Sequence, residues 1–96
     1  MVETTKFDAA EHITTAEDVI ANLEAAFEDG DPIVIQMTLG DIARSQGMTA
    51  VAQKAGVTRE ALYKALSPKG DPRLSTLLGV LKALGLQLSV APGKAA

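Results

Sequence analysis

The twenty residues from Met48 to Ser67, MTAVAQKAGVTREALYKALS, constrain this chain more than any other stretch. Gly56 offers the left-handed backbone that a residue bearing a Cβ resists, and it divides two short segments of helical apolar spacing. On the first segment Thr49 is read as the cap, Val51 and Ala55 face a core, and Ala52 is small where a second helix crosses. Val57 plugs the turn into the core. Thr58 is placed to cap the second segment, its hydroxyl taking up an amide that would otherwise be orphaned. Leu62, Ala65 and Leu66 then hold that helix down. A generic helical hairpin would satisfy the apolar positions alone. Small Ala, turn Gly, apolar plug, Thr cap and downstream Leu together form the narrower pattern of a helix-turn-helix.

The remaining punctuation predicts three more helices. Thr14 and Glu17 stand at capping-box spacing, and Val19, Ile20, Leu23, Ala26 and Phe27 follow at helical intervals until Gly30. Asp31 caps a second helix with Pro32 in its first turn, where the missing N–H costs nothing. Ile35, Leu39, Ile42 and Ala43 form its apolar stripe. Gly40 inside the helix suggests a close approach of backbones, since glycine there costs about 1 kcal/mol relative to alanine. After the loop Ser67-Pro68-Lys69-Gly70-Asp71-Pro72, a fifth helix near 73–84 carries Leu74, Leu77, Leu78, Leu81 and Leu84 and stops at Gly85. Leu86, Leu88 and Val90 then alternate with Gln87 and Ser89, the period of a half-buried strand. The expected fold is all-α, five helices with a short C-terminal β-strand. It forms a single domain over 1–96: an acidic helical region at 1–31, a helix-turn-helix bundle at 32–85 and a terminal strand at 86–91.

Charge separates two of these regions. Residues 1–31 carry nine acids against Lys6, a net of −8, whereas residues 32–96 carry a net of +5. Two surfaces with different partners are one reading, a basic face for phosphate and an acidic one for something cationic. A solvated acidic helix beside a mildly basic bundle is the other. Cysteine is absent, which removes disulfides, thiolate metal sites and thiol catalysis. His12 is the single histidine, beside Glu11, and no second ligand or base supports a metal or an acid–base pair; Tyr63 and Lys64, though adjacent, point in different directions on a helix. The chain is therefore expected to be no enzyme and to need no cofactor. No apolar run reaches the ~20 residues of a membrane span, and Met1–Lys6 lacks the pattern of a secretory signal. A bacterial cytoplasmic protein is expected.

On the second helix of the motif, Thr58, Arg59, Glu60, Tyr63 and Lys64 are left facing outward, the positions that meet the major groove of DNA in motifs of this type. Arg59 can bond guanine O6 and N7 in bidentate fashion, worth roughly 1–3 kcal/mol of discrimination. Thr58 and Tyr63 suit phosphate or thymine methyl groups. Thr49 at the start of the first helix joins this candidate face. Lys54, Lys64, Lys69 and Arg73 would supply electrostatic footing, although Lys69 and Arg73 fit a solvated loop equally well.

Beyond the motif, several stretches are similar to a known family. They are Phe7-Asp8-Ala9-Ala10-Glu11, Asp29-Gly30-Asp31-Pro32 and Leu39-Gly40-Asp41-Ile42-Ala43-Arg44. Most distinctive are Thr58-Arg59-Glu60-Ala61-Leu62-Tyr63-Lys64-Ala65-Leu66-Ser67-Pro68-Lys69-Gly70 and Leu81-Lys82-Ala83-Leu84-Gly85-Leu86. The helix arrangement resembles lambda-repressor-like DNA-binding domains, and the chain as a whole resembles the HigA-like addiction module antidotes, antitoxins of type II toxin–antitoxin pairs. Ala61 stands where these often have glycine, and His12 where an aromatic is common.

The resemblance implies that the chain neutralises a RelE/HigB-like ribonuclease toxin and binds double-stranded operator DNA to repress its own operon. A toxin that grips RNA is expected to be basic, so the acidic region is the complementary surface. Glu17, Glu24 and Glu28 would provide the charge, and Phe7 and Ile13 the apolar anchor. A two-fold operator calls for a homodimer, with Leu86–Val90 pairing against its mate or packing on its own bundle. The alternative is a stand-alone helix-turn-helix regulator without a toxin partner.

Overall fold

The computed structural model describes residues 15–93. Among them are five helices: α1 (Ala16–Asp29), α2 (Pro32–Gln46), α3 (Met48–Ala55), α4 (Arg59–Ala65) and α5 (Leu74–Ala83). The cap of α1 is Thr15, whose Oγ1 accepts from the Asp18 amide at 3.0 Å. The helix thus begins one residue later than the Thr14–Glu17 spacing suggests, and Thr14 lies outside the described residues. Gly30 closes α1 with φ 78°, and the Asp31 carboxylate accepts from the Ile33 amide at 2.9 Å to open α2.

Gly47 ends α2 and begins α3 in one residue, with φ 102°. This overturns the expected cap at Thr49. A cap must lie outside the helix in extended backbone, and Thr49 is already helical, so the start of α3 has no side-chain cap.

The core collects side chains from every helix: Val19 and Leu23 of α1, Leu39 and Ile42 of α2, Val51 and Ala52 of α3, Leu62 of α4, Val80 and Leu81 of α5. Leu39, Ile42, Leu62 and Val80 are fully enclosed. Each such side chain contributes about 1.5–3 kcal/mol on removal from water. α1 pairs with α2, and α5 lies across α3, where Gly79 meets the Ala55 backbone. The apolar stripes are partly rotated from expectation. Val80 faces the core, while Leu74, Leu78 and Ile20 stand exposed.

The C-terminal strand is not formed among the described residues: 86–93 have no regular structure. Leu86 instead completes the end of α5. Its amide bonds the Leu81 carbonyl at 2.8 Å, the Gly85 amide bonds that of Lys82 at 2.9 Å, and Gly85 has φ 79°. This is the left-handed glycine closure of a helix, with a hydrophobic residue just beyond it. Leu88 and Val90 are exposed. A lone strand cannot pair its own backbone groups, so the alternation of residues 86–90 has nothing to build on.

Candidate nucleic-acid interface

α3 and α4 are joined by Gly56, Val57 and Thr58. Gly56 has φ 78°; its amide bonds the Gln53 carbonyl at 3.2 Å, and that of Val57 bonds Ala52 at 3.0 Å. Val57 is packed against the core. The Thr58 hydroxyl then accepts from the Ala61 amide at 3.0 Å, capping α4 as expected. With Leu62 enclosed, α4 has one registration only, and Arg59, Glu60, Tyr63 and Lys64 face solvent.

Arg59 and Tyr63 are one turn apart, and the guanidinium lies 5.5 Å from the centre of the phenol ring. At an exposed site such a contact is worth about 0.5–1 kcal/mol, enough to bias the arginine toward one rotamer. Beside this pair is an open groove of about 560 Å³, walled by Arg44, the first turn of α3 from Gly47 to Ala50, Arg59 and Tyr63. Arg44 comes from the last turn of α2, where its guanidinium pairs with Asp41. No acid stands in the first turn of α3, and its uncapped amides form the positive end of the helix dipole. Arg59 and a helix N-terminus, with the Asp41-paired Arg44 beside them, make this groove suitable for an anion.

Of the residues read from the sequence as DNA contacts, the groove brings together Thr49, Arg59 and Tyr63. Lys54, Thr58, Glu60, Lys64 and Lys69 are exposed but lie outside it. Arg44 was missed; as the single base of α2, one residue type in a last turn, it looked like ordinary compensation of the helix dipole. Gln36 was missed as well. It is buried inside α2, and its Nε2 donates to the carbonyls of Ala65 at 3.2 Å, Ser67 at 2.9 Å and Gly70 at 2.7 Å. Its spacing from Leu39 and Ala43 puts it beside the apolar stripe, a signal that a buried polar role was available.

The acidic candidates lie on a different surface. Glu17, Glu24 and Glu28 are exposed on α1, and their offsets of seven and four residues place them along one face. Ile20, 44% exposed, shares that face four residues before Glu24. Phe7 and Ile13 lie outside the described residues, as does His12. Among the described residues no group of three or more His, Cys, Asp or Glu could hold a metal ion, and no helix is long and apolar enough to cross a membrane.

An arginine-lined groove and a separate acidic face thus stand on one all-helical bundle. Residues 3–92 match a family model described as "Probable addiction module antidote protein". The chain is also 44% identical over 84 residues to an uncharacterized protein of Haemophilus influenzae, a stretch covering 88% of this chain and 87% of the relative. No solved structure matches. The chain belongs to the addiction module antidote family, and an antidote implies a toxin partner of some kind.

Proposed function

We propose that this antidote is a HigA-like antitoxin that neutralises a RelE/HigB-like ribonuclease toxin and, as a homodimer with a lambda-repressor-like helix-turn-helix, represses its own operon. On this reading α4 enters the major groove of operator DNA, and the protein works in the bacterial cytoplasm by binding alone, catalysing no reaction. The observation that carries the DNA part is the convergence of Arg59, Tyr63, Thr49 and Arg44 on one open groove at the exposed side of α4. Arg59 reads a base edge, whereas Arg44 and the first turn of α3 meet phosphate.

Arg59→Ala is expected to lower affinity for a duplex taken from upstream of the gene by about 1–3 kcal/mol and to relax specificity at one base pair per half-site. Lys64→Ala should weaken binding to all sequences and flatten the salt dependence by about one unit of slope. Titration of both variants by fluorescence anisotropy over a range of salt measures the two effects. Wild-type binding by both would remove α4 from the interface.

The toxin contact is assigned to α1. Glu17, Glu24 and Glu28 along one exposed face of α1 support a surface shaped for a basic partner, with exposed Ile20 as an apolar anchor. Reversing Glu17, Glu24 and Glu28 to Lys should abolish neutralisation of the adjacent gene's product in cells while operator binding persists. Full protection by that variant would move the toxin contact elsewhere. A stand-alone regulator would need the groove on α4 alone and would make no use of this acidic strip.

A further inference from the structure

The DNA-reading face is held in place by a residue that never reaches it. Gln36 is the single buried polar side chain among the described residues. Three carbonyl oxygens converge on one of its terminal atoms, so that atom must be the amide nitrogen, the group with protons to give. Two protons serve three acceptors, so one bond is shared.

Those acceptors belong to Ala65, Ser67 and Gly70, and they bracket the end of α4 and the turn that follows it. The same turn is also tied down by its own local hydrogen bonds. The Ser67 hydroxyl donates to the Lys64 carbonyl at 2.9 Å, and the Gly70 amide donates to that of Ser67 at 2.9 Å. The turn lies so close to α4 that a Cβ built on Gly70 would overlap the Lys64 and Ala65 carbonyl oxygens. Lys64 and Lys69 are the two cations carried on this clamped segment, and both are exposed.

We infer that Gln36 is a positioning residue for DNA binding: by gathering the Ala65, Ser67 and Gly70 carbonyls it holds the backbone that carries Lys64 and Lys69, the side chains that would meet phosphate. The inference rests on the reading that α4 contacts DNA. A phosphate contact contributes its full affinity only where the cation need not be ordered on binding, and a turn tethered by three hydrogen bonds is ordered beforehand; a turn set loose can lose the contact and the counterion release that goes with it.

The test uses the full-length chain and the duplex from upstream of its gene. Gln36→Met keeps the volume and removes the donors. With folding verified by circular dichroism at the temperature used, its affinity should fall roughly tenfold and its salt slope should flatten by about one. The loss should disappear in a Lys64→Ala/Lys69→Ala background, because Gln36 acts through those two side chains. Gln36→Asn, one methylene short, covers the case in which the Met variant does not fold. It should lose part of the affinity and show faster amide exchange over residues 66–70. Wild-type affinity with faster exchange at 66–70 would make the clamp purely structural and overturn the inference while leaving the DNA reading intact. A loss that persists undiminished in the double-lysine background would overturn it too. If the wild-type chain binds no duplex even at low salt, the DNA reading itself fails and this inference falls with it.

Discussion

The two ends of α4 are fixed by different means. Its N-terminal end is set by neighbours in sequence: Gly56 turns the chain with φ 78°, Val57 anchors it in the core, and the Thr58 hydroxyl caps the helix three residues on. Its C-terminal end is set at a distance. Gln36, about thirty residues earlier in the chain, reaches across from α2, and Gly70 folds back so tightly that no side chain fits. Local chemistry aims the helix, and long-range packing holds its far end. The face presented to a ligand needs both, because Arg59 sits at the first end and Lys64 and Lys69 at the second.

Substitutions at the two ends separate local from long-range control of α4. The largest effect is expected at the distant clamp. Gly70→Ala would force backbone atoms apart, and overpacking of that kind should cost about 3 kcal/mol of stability in denaturant unfolding. A harmless Gly70→Ala would mean that the turn is free to move off α4 and that the contrast is false. Next comes the local turn. Gly56→Ala must hold a Cβ in the left-handed region and should cost about 1–2 kcal/mol by the same measurement. Thr58→Ala removes one cap and should cost about 1 kcal/mol, shifting the denaturant midpoint without changing the slope.

The smallest effect has the opposite sign. Gly40 lies in the middle of α2 near the end of α4, yet a Cβ there would rest 3.7 Å from the Leu66 carbonyl oxygen, an ordinary contact. The close approach suggested by its helical position does not demand glycine. Gly40→Ala should therefore raise the melting temperature, reflecting a gain of up to about 1 kcal/mol from helix propensity. A drop would show that α2 and α4 are pressed together more closely than this spacing implies.

What the sequence determined by itself is the set of features whose cause is local. The helix ends at Gly30 and Gly56 and the starts at Asp31 and Thr58 followed from glycine, proline and capping side chains, because such a cap is met within three residues of the helix start. The starts of α1 and α3 did not follow in the same way. The turn at Gly56, the exposed face of α4 and the contrast between an acidic α1 and a basic remainder were all legible for that reason. Family membership was legible too, through residues spread over most of the chain.

Tertiary structure decided the rest. The same local signature, a glycine followed by an apolar residue, closes α3 at Gly56-Val57 and α5 at Gly85-Leu86, with matching backbone hydrogen bonds. At the second site the alternation of residues 86–90 suggested a strand, but a strand exists only where another backbone offers its ladder, and that is not written in the segment. The partners of Gln36 and Arg44 were likewise invisible, although the spacing of Gln36 from Leu39 and Ala43 marked it as lying beside the apolar stripe. Gln36 reads as a polar break in a helix and Arg44 as a dipole-matched base until folding brings Ala65, Ser67 and Gly70 onto the first and the start of α3 beside the second. A side chain's partner across thirty residues depends on how whole helices pack, and periodicity along one helix carries no information about that.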